Sequence, residues 1–317
     1  MIKERILLVT SGGDAPGMNV FLATSIKKFS KKYDVYLSFN GLIGLINNDI
    51  QSVDKNVDYD QYLHQPSTFL GSSRLKIWLQ DDEYTLRKIV NNLQQNEIKH
   101  LIVLGGNGSL AATNVIANAA KINAYGIPFS IDNDFHPKYY TLGASSAATF
   151  NNQLLKNLIY TNKAHQAICF VEIMGRDHDY LVKESIKNLN PLLVISKQNE
   201  KLTGQQIADI IAYKIDNNEE FDPLIVVKEL IYTSNEYNDI NKILANIFIT
   251  KTIRKPQIFS YLQRGCNVNQ LDYTIALQAS STLFDFITRK TDLTNLYFLG
   301  IDQDNPNQMQ FYLFENK

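Results

Sequence analysis

The sequence lacks the features that mark secreted, membrane-spanning and nucleic-acid-binding proteins. Among 317 residues there are two cysteines, Cys169 and Cys266, and a single possible pair cannot form a disulfide framework. No apolar run reaches the ~18 residues that span a membrane, and Ile6–Thr10 is too short for a secretion signal. With 31 basic and 32 acidic residues, the net charge of −1 creates no field that attracts nucleic acid or membrane. These absences predict a soluble cytoplasmic protein.

The composition supplies enough apolar surface for a large core. Hydrophobic residues make up 44% of the chain and charged residues 20%, with 16 Phe and 17 Tyr. Such values are typical of globular proteins. At about 100 to 200 residues per domain, a chain of 317 residues is expected to form two domains or one large α/β unit.

Short β-branched runs alternate along the chain with longer segments of helical period. The short runs predict strands at Ile6–Thr10, Val35–Phe39, His100–Leu104, Tyr125–Ser130, Ala167–Ile173, Leu192–Ile195 and Leu224–Val227. The longer segments predict helices at Asn19–Lys31, Asp81–Gln95, Leu110–Ala120, Ala144–Tyr160 and Thr203–Ile215. Apolar strands separated by helices indicate a parallel sheet covered on both faces, so the predicted fold class is α/β, doubly wound. The acidic stretch Asn217–Asp222 is interpreted as a solvated turn.

Two glycine-rich turns follow predicted strands and open onto helices. In Thr10–Asn19, Gly12, Gly13 and Gly17 let backbone amides approach an anion, and the following helix adds a favourable dipole. The alternative is a tight turn in which a side chain caps the helix. Leu104–Leu110 is a second glycine-rich turn at the end of a predicted strand, and it too opens onto a helix. Neither turn has the Walker A or dinucleotide-binding pattern, and a phosphate group is the ligand that both suit.

Charged side chains follow further predicted strands. Residues two apart in extended backbone point the same way, so Asp132 and Asp134 are expected to converge on one substrate or metal. One of these carboxylates would accept a hydroxyl proton; a hydrated acidic turn is the alternative. Arg176 and Arg264 each stand beside a glycine, where a guanidinium can reach an oxyanion. Glu229 is expected to accept hydrogen bonds from a sugar hydroxyl or to cap a strand end.

Taken in order, these segments resemble the signature blocks of the bacterial ATP-dependent 6-phosphofructokinase family. The blocks are TSGGDAPGMN at 10–19, TFLGSSR at 68–74, GGNGS at 105–109, SIDND at 130–134, VEIMGR at 171–176 and LQRG at 262–265. The resemblance implies a glycolytic kinase that transfers the γ-phosphoryl group of ATP to the 1-hydroxyl of fructose 6-phosphate, with Mg²⁺ bound. It also implies a homotetramer whose active site lies in a cleft between two Rossmann-like, doubly wound parallel-sheet domains. The nucleotide side would comprise residues 1–143 and 262–301, and the sugar-phosphate side residues 144–261 and 302–317.

The resemblance further implies a role for individual residues. Asp132 would be the general base, Arg176 would stabilise the transition state, and Gly12 would contact the transferring phosphoryl group. The nucleotide side would be formed by Gly12, Arg74, Gly106, Asn107, Gly108 and Ser109. The sugar phosphate would be bound by Ser130, Asp132, Asp134, Met174, Gly175, Arg176, Glu229, Lys255, Tyr261 and Arg264. Positioned charges of this kind suit phosphoryl transfer, and Gly108 resembles the ATP-using branch of the family rather than the pyrophosphate-using one.

On the nucleotide side, several positions depart from the family pattern. Asn107 replaces the metal-binding aspartate, which removes an anionic oxygen that Mg²⁺ prefers and weakens the metal site. Phe129 and Ala112 replace glycines, and Leu42 replaces the aromatic residue that stacks on adenine. Leu79 stands where the family has an arginine.

On the sugar-phosphate side, basic groups are lost. Ala167 and Lys255 replace arginines, and Tyr261 replaces a histidine. Each lost guanidinium removes a charge-assisted contact worth about 1.5 to 3 kcal/mol. The family's basic effector-binding positions fall on Ala23, Ile159 and the acidic stretch Asn217–Asp222, with only Lys27 and Lys55 still basic. We therefore expect no regulation by ADP or phosphoenolpyruvate.

Three functions remain open on the sequence. The first is a working ATP-dependent 6-phosphofructokinase. The second is a catalytically impaired subunit that acts as the structural or regulatory partner of a complete paralogue, in a hetero-oligomer where the paralogue supplies the missing arginine. The third is a kinase of the same fold with a different phosphoryl donor or acceptor sugar.

Overall fold

A computed structural model describes residues 3–74, 82–289 and 295–314, which form two compact units. Unit 1 comprises Met1–Ser146 and Arg264–Lys317, and unit 2 comprises Ala147–Gln263. The strands are β1 (Arg5–Thr10), β2 (Asp34–Ser38), β3 (Ile50–Ser52), β4 (Ile98–Gly105), β5 (Asn123–Pro128), β6 (Ala167–Ile173), β7 (Pro191–Ile195), β8 (Asp222–Lys228), β9 (Thr252–Ile253), β10 (Gln257–Ile258), β11 (Leu296–Ile301) and β12 (Met309–Leu313). The helices are α1 (Met18–Phe29), α2 (Gly41–Asn47), α3 (Glu83–Gln95), α4 (Asn107–Ala120), α5 (Ala144–Ala164), α6 (Tyr180–Ser185), α7 (Gly204–Asp216), α8 (Ser234–Ile247) and α9 (Gln270–Arg289).

Unit 1 is built on a sheet with the strand order β12-β11-β5-β4-β1-β2-β3. Its central strands are parallel, whereas β3 and β12 pair antiparallel with β2 and β11 at the two edges. The strands predicted from the sequence pair parallel with one another, and the structure adds antiparallel strands at the two edges, where short connections return the chain. Because β12 pairs with β11, residues 309–313 lie in unit 1 and not on the sugar-phosphate side as expected from the resemblance.

Unit 2 is built on a smaller sheet with the order β10-β6-β8-β7, and β9 also pairs with β6. Every pairing in it is parallel. Helices α7 and α8 pack on this sheet through an apolar cluster that includes Ile207, Ile211, Ile240 and Leu244. Among the described residues, no helix is both long and apolar enough to cross a membrane.

The predicted strands and helices all occur, with shifted ends. Strand β4 is buried over Leu101–Leu104, and Leu101 and Val103 pack against the apolar faces of α3 and α4. Burial on both faces explains its continuous apolar run. The helix predicted from Asp81 begins at Glu83, and residue 81 lies outside the described residues. Residues 217–220 of the acidic stretch are exposed and include a turn, as predicted, and the chain then enters β8 at Asp222.

The strand register places the candidate loops next to each other at one edge of the unit 1 sheet. Thr10, the last residue of β1, pairs with Leu104 near the end of β4. Gly105, the last residue of β4, pairs with Pro128, the last residue of β5. The three loops that follow these strands therefore start side by side, at the edge where open α/β sheets bind their ligands.

Candidate active site

The turn after β1 needs glycine at position 12. Gly12 has φ +89, a conformation that side chains other than glycine rarely adopt. Its N–H donates to the Ser73 carbonyl at 2.9 Å, and its own carbonyl accepts from Ser72 Oγ at 3.1 Å. A Cβ at Gly12 would lie 2.9 Å from Ser109 Oγ, so this turn directly faces the start of α4.

Two guanidinium groups lie beside Gly13. A Cβ at this position would be 2.5 Å from Arg264 Nη1 and 3.3 Å from Arg74 Nη2. Arg264 is buried and its Nη1 donates to the Asp14 carbonyl at 3.4 Å, whereas Arg74 is exposed. Two positive charges against a glycine backbone create a setting that favours a phosphate.

The N-terminus of α4 forms the second wall of this anion site. Gly106 is the N-cap and provides no side chain, so nothing of its own covers the first amides of the helix. A Cβ at Gly108 would meet nothing within 4 Å, which means that this residue borders open space. The N–H groups of the first turn and the helix dipole favour a negative charge here.

The loop after β5 is a turn, so the expected parallel projection of Asp132 and Asp134 from extended backbone is wrong. Asn133 between them has φ +49, a left-handed conformation that asparagine tolerates. The two carboxylates have different partners. Asp132 is 7% exposed and its Oδ2 lies 3.9 Å from Arg264 Nη2, whereas Asp134 Oδ1 accepts from Ser130 Oγ at 3.1 Å.

Asn107 joins α4 to this acidic loop. Its Nδ2 donates to the Asp134 carbonyl at 3.1 Å, a contact that an aspartate could not make. With the nitrogen engaged, the carboxamide oxygen is the group left to face a cation. The described residues contain no cluster of three or more acidic, His or Cys side chains able to hold a metal. The oxygen donors present suit Mg²⁺ only together with substrate phosphates, which is how proteins commonly bind this ion.

In unit 2, the loop after β6 is held by the end of β8. The register pairs Ile173 with Lys228. Glu229 Oε1 then accepts from the N–H groups of Gly175 and Arg176, at 3.1 and 2.9 Å. One carboxylate oxygen of Glu229 is therefore engaged by backbone. The Arg176 side chain is 66% exposed.

Sequence reasoning missed two buried amides that fix the same loop. Gln263 Oε1 accepts from the Met174 N–H at 3.3 Å and from Asn151 Nδ2 at 2.8 Å. Both amide side chains are fully buried. The only available signal was the place of Gln263 in the LQRG block, because nothing in the sequence links it to Asn151.

Glu172 adds a second carboxyl group near Glu229. Burial, helped by the negative charge of Glu229, raises the pKa of Glu172 above its ordinary value. The Tyr237 hydroxyl donates to Glu172 Oε2 at 2.9 Å. Glu172 and Tyr237 both belong to unit 2, and their hydrogen bond holds the end of β6.

Several residues that depart from the family pattern are not at an exposed surface. Leu42 and Phe129 are each 1% exposed, so neither side chain is placed to contact a nucleotide base. Ala167 is also 1% exposed and pairs with Thr252. Lys255 and Tyr261 are exposed in unit 2. The Leu79 position lies outside the described residues.

Comparisons with known proteins agree with this geometry. The family described as Phosphofructokinase matches residues 5–287. The chain is 38% identical over 298 residues to a probable ATP-dependent 6-phosphofructokinase of Ureaplasma parvum, covering 93% of this chain and 91% of that protein. It is 31% identical over 279 residues to an ATP-dependent 6-phosphofructokinase of Spiroplasma citri, covering 87% and 81%.

Solved structures show the same fold. Phosphofructokinase from Saccharomyces cerevisiae matches with a TM-score of 0.81 at 20% identity, over 98% of this chain and 44% of the yeast chain. This chain thus spans less than half of the yeast chain. A pyrophosphate-dependent phosphofructokinase from Nitrosospira multiformis matches with a TM-score of 0.80 at 16% identity, over 99% and 83%. With the family match over most of its length, the chain belongs to the phosphofructokinase family.

Proposed function

We propose that this chain is an ATP-dependent 6-phosphofructokinase that converts fructose 6-phosphate to fructose 1,6-bisphosphate in the cytoplasm. The observation that carries the proposal is the convergence of Arg74 and Arg264 on Gly13, with Asp132 beside Arg264. Such a site combines a phosphate cradle with a positioned carboxylate. Its curated relatives named above carry the same activity in their names.

Each part of unit 1 supplies a step that phosphoryl transfer requires. The Gly12 turn and the α4 N-terminus hold the donor phosphates, and Arg74 neutralises their charge. Asp132, oriented by Arg264, takes the proton from the 1-hydroxyl of the sugar as that oxygen attacks phosphorus. In unit 2, Arg176 stabilises the negative charge of the transition state.

The remaining predicted residues bind and orient the two substrates. Asn107 and Asp134 would hold Mg²⁺, which would neutralise charge on the transferred phosphoryl group. Glu229 and the Met174–Arg176 loop would bind the sugar. Lys255 would serve across a subunit boundary in a homotetramer, or in a hetero-oligomer with a paralogue, and Tyr261 would bind the sugar phosphate.

The test is product formation by the purified chain alone. We expect fructose 1,6-bisphosphate from fructose 6-phosphate, ATP and Mg²⁺, identified by phosphorus NMR. Pyrophosphate in place of ATP is expected to give none. Absence of product with ATP would contradict the proposal.

A second function, an impaired partner subunit, is favoured by one observation. Ala167 is buried in β6 and brings no guanidinium to the position where the family has one. If the chain alone is inactive, adding a complete paralogue would distinguish this function from a failure of the kinase proposal. Activity that requires both chains and is lost on Asp132→Asn would support it.

A further inference from the structure

The backbone of Arg176 adopts a conformation that needs support. Its φ is +44, in the left-handed region that non-glycine residues rarely occupy. Residues held in this way are strained and persist only where the surroundings fix them. Arg176 is also the residue to which the proposed function assigns the transition-state charge, so its backbone geometry bears directly on catalysis.

Two consecutive residues at the end of β8 hold this backbone from both sides. Glu229 Oε1 accepts from the Arg176 N–H at 2.9 Å. Lys228 Nζ donates to the Arg176 carbonyl at 2.8 Å. The opposite charges of the two side chains match the two polar groups of one residue, so the amide faces an anion and the carbonyl faces a cation.

The stem of Lys228 reaches Arg176 by crossing Gly175. A Cβ at Gly175 would lie 3.3 Å from both Cγ and Cδ of Lys228. The register fixes the start of this path, because Lys228 pairs with Ile173, the last residue of β6. A lysine at this position therefore spans the turn from the strand end to Arg176.

The geometry points to Lys228 as a positioning residue that, together with Glu229, fixes the backbone of Arg176 for phosphoryl transfer. This role rests on the proposed function. It assigns Lys228 no contact with substrate: its ammonium acts through Arg176. The sequence gives no sign of this role, since Lys228 falls outside every signature block and becomes informative only through the β6–β8 register.

The variant Lys228→Met keeps the stem over Gly175 and removes the ammonium. We expect kcat to fall about tenfold, as for loss of one charge-assisted hydrogen bond, with the KM for ATP and the melting temperature unchanged. Deuterium exchange in the peptide containing residues 174–177 should become faster. Lys3→Met is the matched control, because Lys3 also donates to a backbone carbonyl at 2.8 Å, that of Ser30 in unit 1. Lys3→Met should change neither kcat nor the deuterium exchange of residues 174–177.

A double-mutant cycle with Arg176→Ala separates positioning from a direct effect. If Lys228 acts through Arg176, Lys228→Met should lower kcat no further in the Arg176→Ala background. Lys228→Arg, which keeps charge and donor, should restore both kcat and slow exchange. An unchanged kcat, unchanged exchange, a full additional loss in the Arg176→Ala background, or no restoration by a stable Lys228→Arg would each overturn the inference.

The two proposals fail in distinguishable ways. A wild-type chain that forms no fructose 1,6-bisphosphate would refute the proposed function. The exchange comparison between wild type and Lys228→Met needs no turnover, and equal exchange in the two would refute the role of Lys228 by itself.

Discussion

Gly12 and Gly17 share an unusual backbone conformation but differ in what surrounds them. Their φ values are +89 and +92, so alanine at either position costs about 1 to 3 kcal/mol in strain. A Cβ at Gly12 would press on Ser109 Oγ at 2.9 Å, whereas one at Gly17 would make ordinary contacts at 3.6 Å. Only the first substitution enters the proposed phosphate site.

We therefore expect Gly12→Ala to raise the Kd for ATP strongly and Gly17→Ala to leave it unchanged, although both lower the melting temperature. Calorimetric titration with ATP measures the first effect and thermal unfolding the second. Equal ATP affinity in the two variants would show that the Gly12 turn does not bind the donor.

His100 makes stability depend on pH. It is buried between the Tyr125 hydroxyl and the Glu4 carboxylate, each 3.2 Å from a ring nitrogen. Burial lowers its pKa below the ordinary 6.5, although Glu4 opposes the shift. Below pH 6.5 the unfolded chain binds a proton that the folded chain resists, so the free energy of unfolding falls as pH falls toward the folded pKa.

Replacing His100 with Gln removes this titration. Urea unfolding at pH about 7.5 and about 5.5 should show a larger loss of stability on acidification in the wild type than in His100→Gln. An equal loss in both proteins would exclude His100 as the source.

For single residues, the sequence predicts those whose role depends only on their neighbours along the chain. Gly12 and Arg264 could be singled out because a glycine turn and an arginine beside glycine are visible in one short segment. Gln263 and Lys228 could not, because their roles depend on which strands pair and where a buried side chain points.

Among the elements, α8 shows how a helix can be missed despite a clear signal. Thr233 and Glu236 have the S/T-x-x-E spacing of a capping box, and both reciprocal hydrogen bonds form, at 3.3 and 2.8 Å. Lys201 donates to Glu236 and, with the Thr233 contacts, lowers the pKa of Glu236 to about 2. The many polar residues of α8 obscure its apolar periodicity, so only the capping box marks where the helix begins.

Thr233→Ala should lower the free energy of unfolding by about 1 kcal/mol, the usual cost of losing an N-cap side chain. Thr233→Ser keeps the hydroxyl and serves as the control. Urea unfolding followed by circular dichroism measures both. If Ala and Ser variants unfold at the same urea concentration, the cap contributes nothing to stability.

The central strands were predictable because each is an apolar run buried on both faces, as β4 is. The short edge strand β3 was not, because it has mixed burial and carries no distinct period. The run Phe311–Phe314 indicates a strand, but the sequence does not show that it pairs antiparallel with β11 as β12.

For the molecule as a whole, the sequence predicts an α/β fold and two units, and the structure assigns the C-terminal strand to the first. Two of the positions expected to bind effectors carry no charge and are buried: Ala23 is 0% exposed and Ile159 5%. Lys27 is still basic but is paired with Asp60. The exposed acidic turn 217–220 repels phosphates.

We therefore expect neither ADP nor phosphoenolpyruvate to shift the saturation curve for fructose 6-phosphate. Steady-state rates over a range of sugar phosphate, with and without each compound, test this. A shift in the half-saturating concentration would show that an effector site exists elsewhere in the protein.

Asp132 is proposed to remove the proton from the sugar hydroxyl during transfer from ATP. The most direct measurement compares turnover and ATP binding in wild type and Asp132→Asn, with the exposed Asp209→Asn as control. We expect Asp132→Asn to bind ATP normally but to turn over about 100 to 10,000 times more slowly, while Asp209→Asn behaves as wild type. Turnover by Asp132→Asn at the wild-type rate would contradict this role of Asp132.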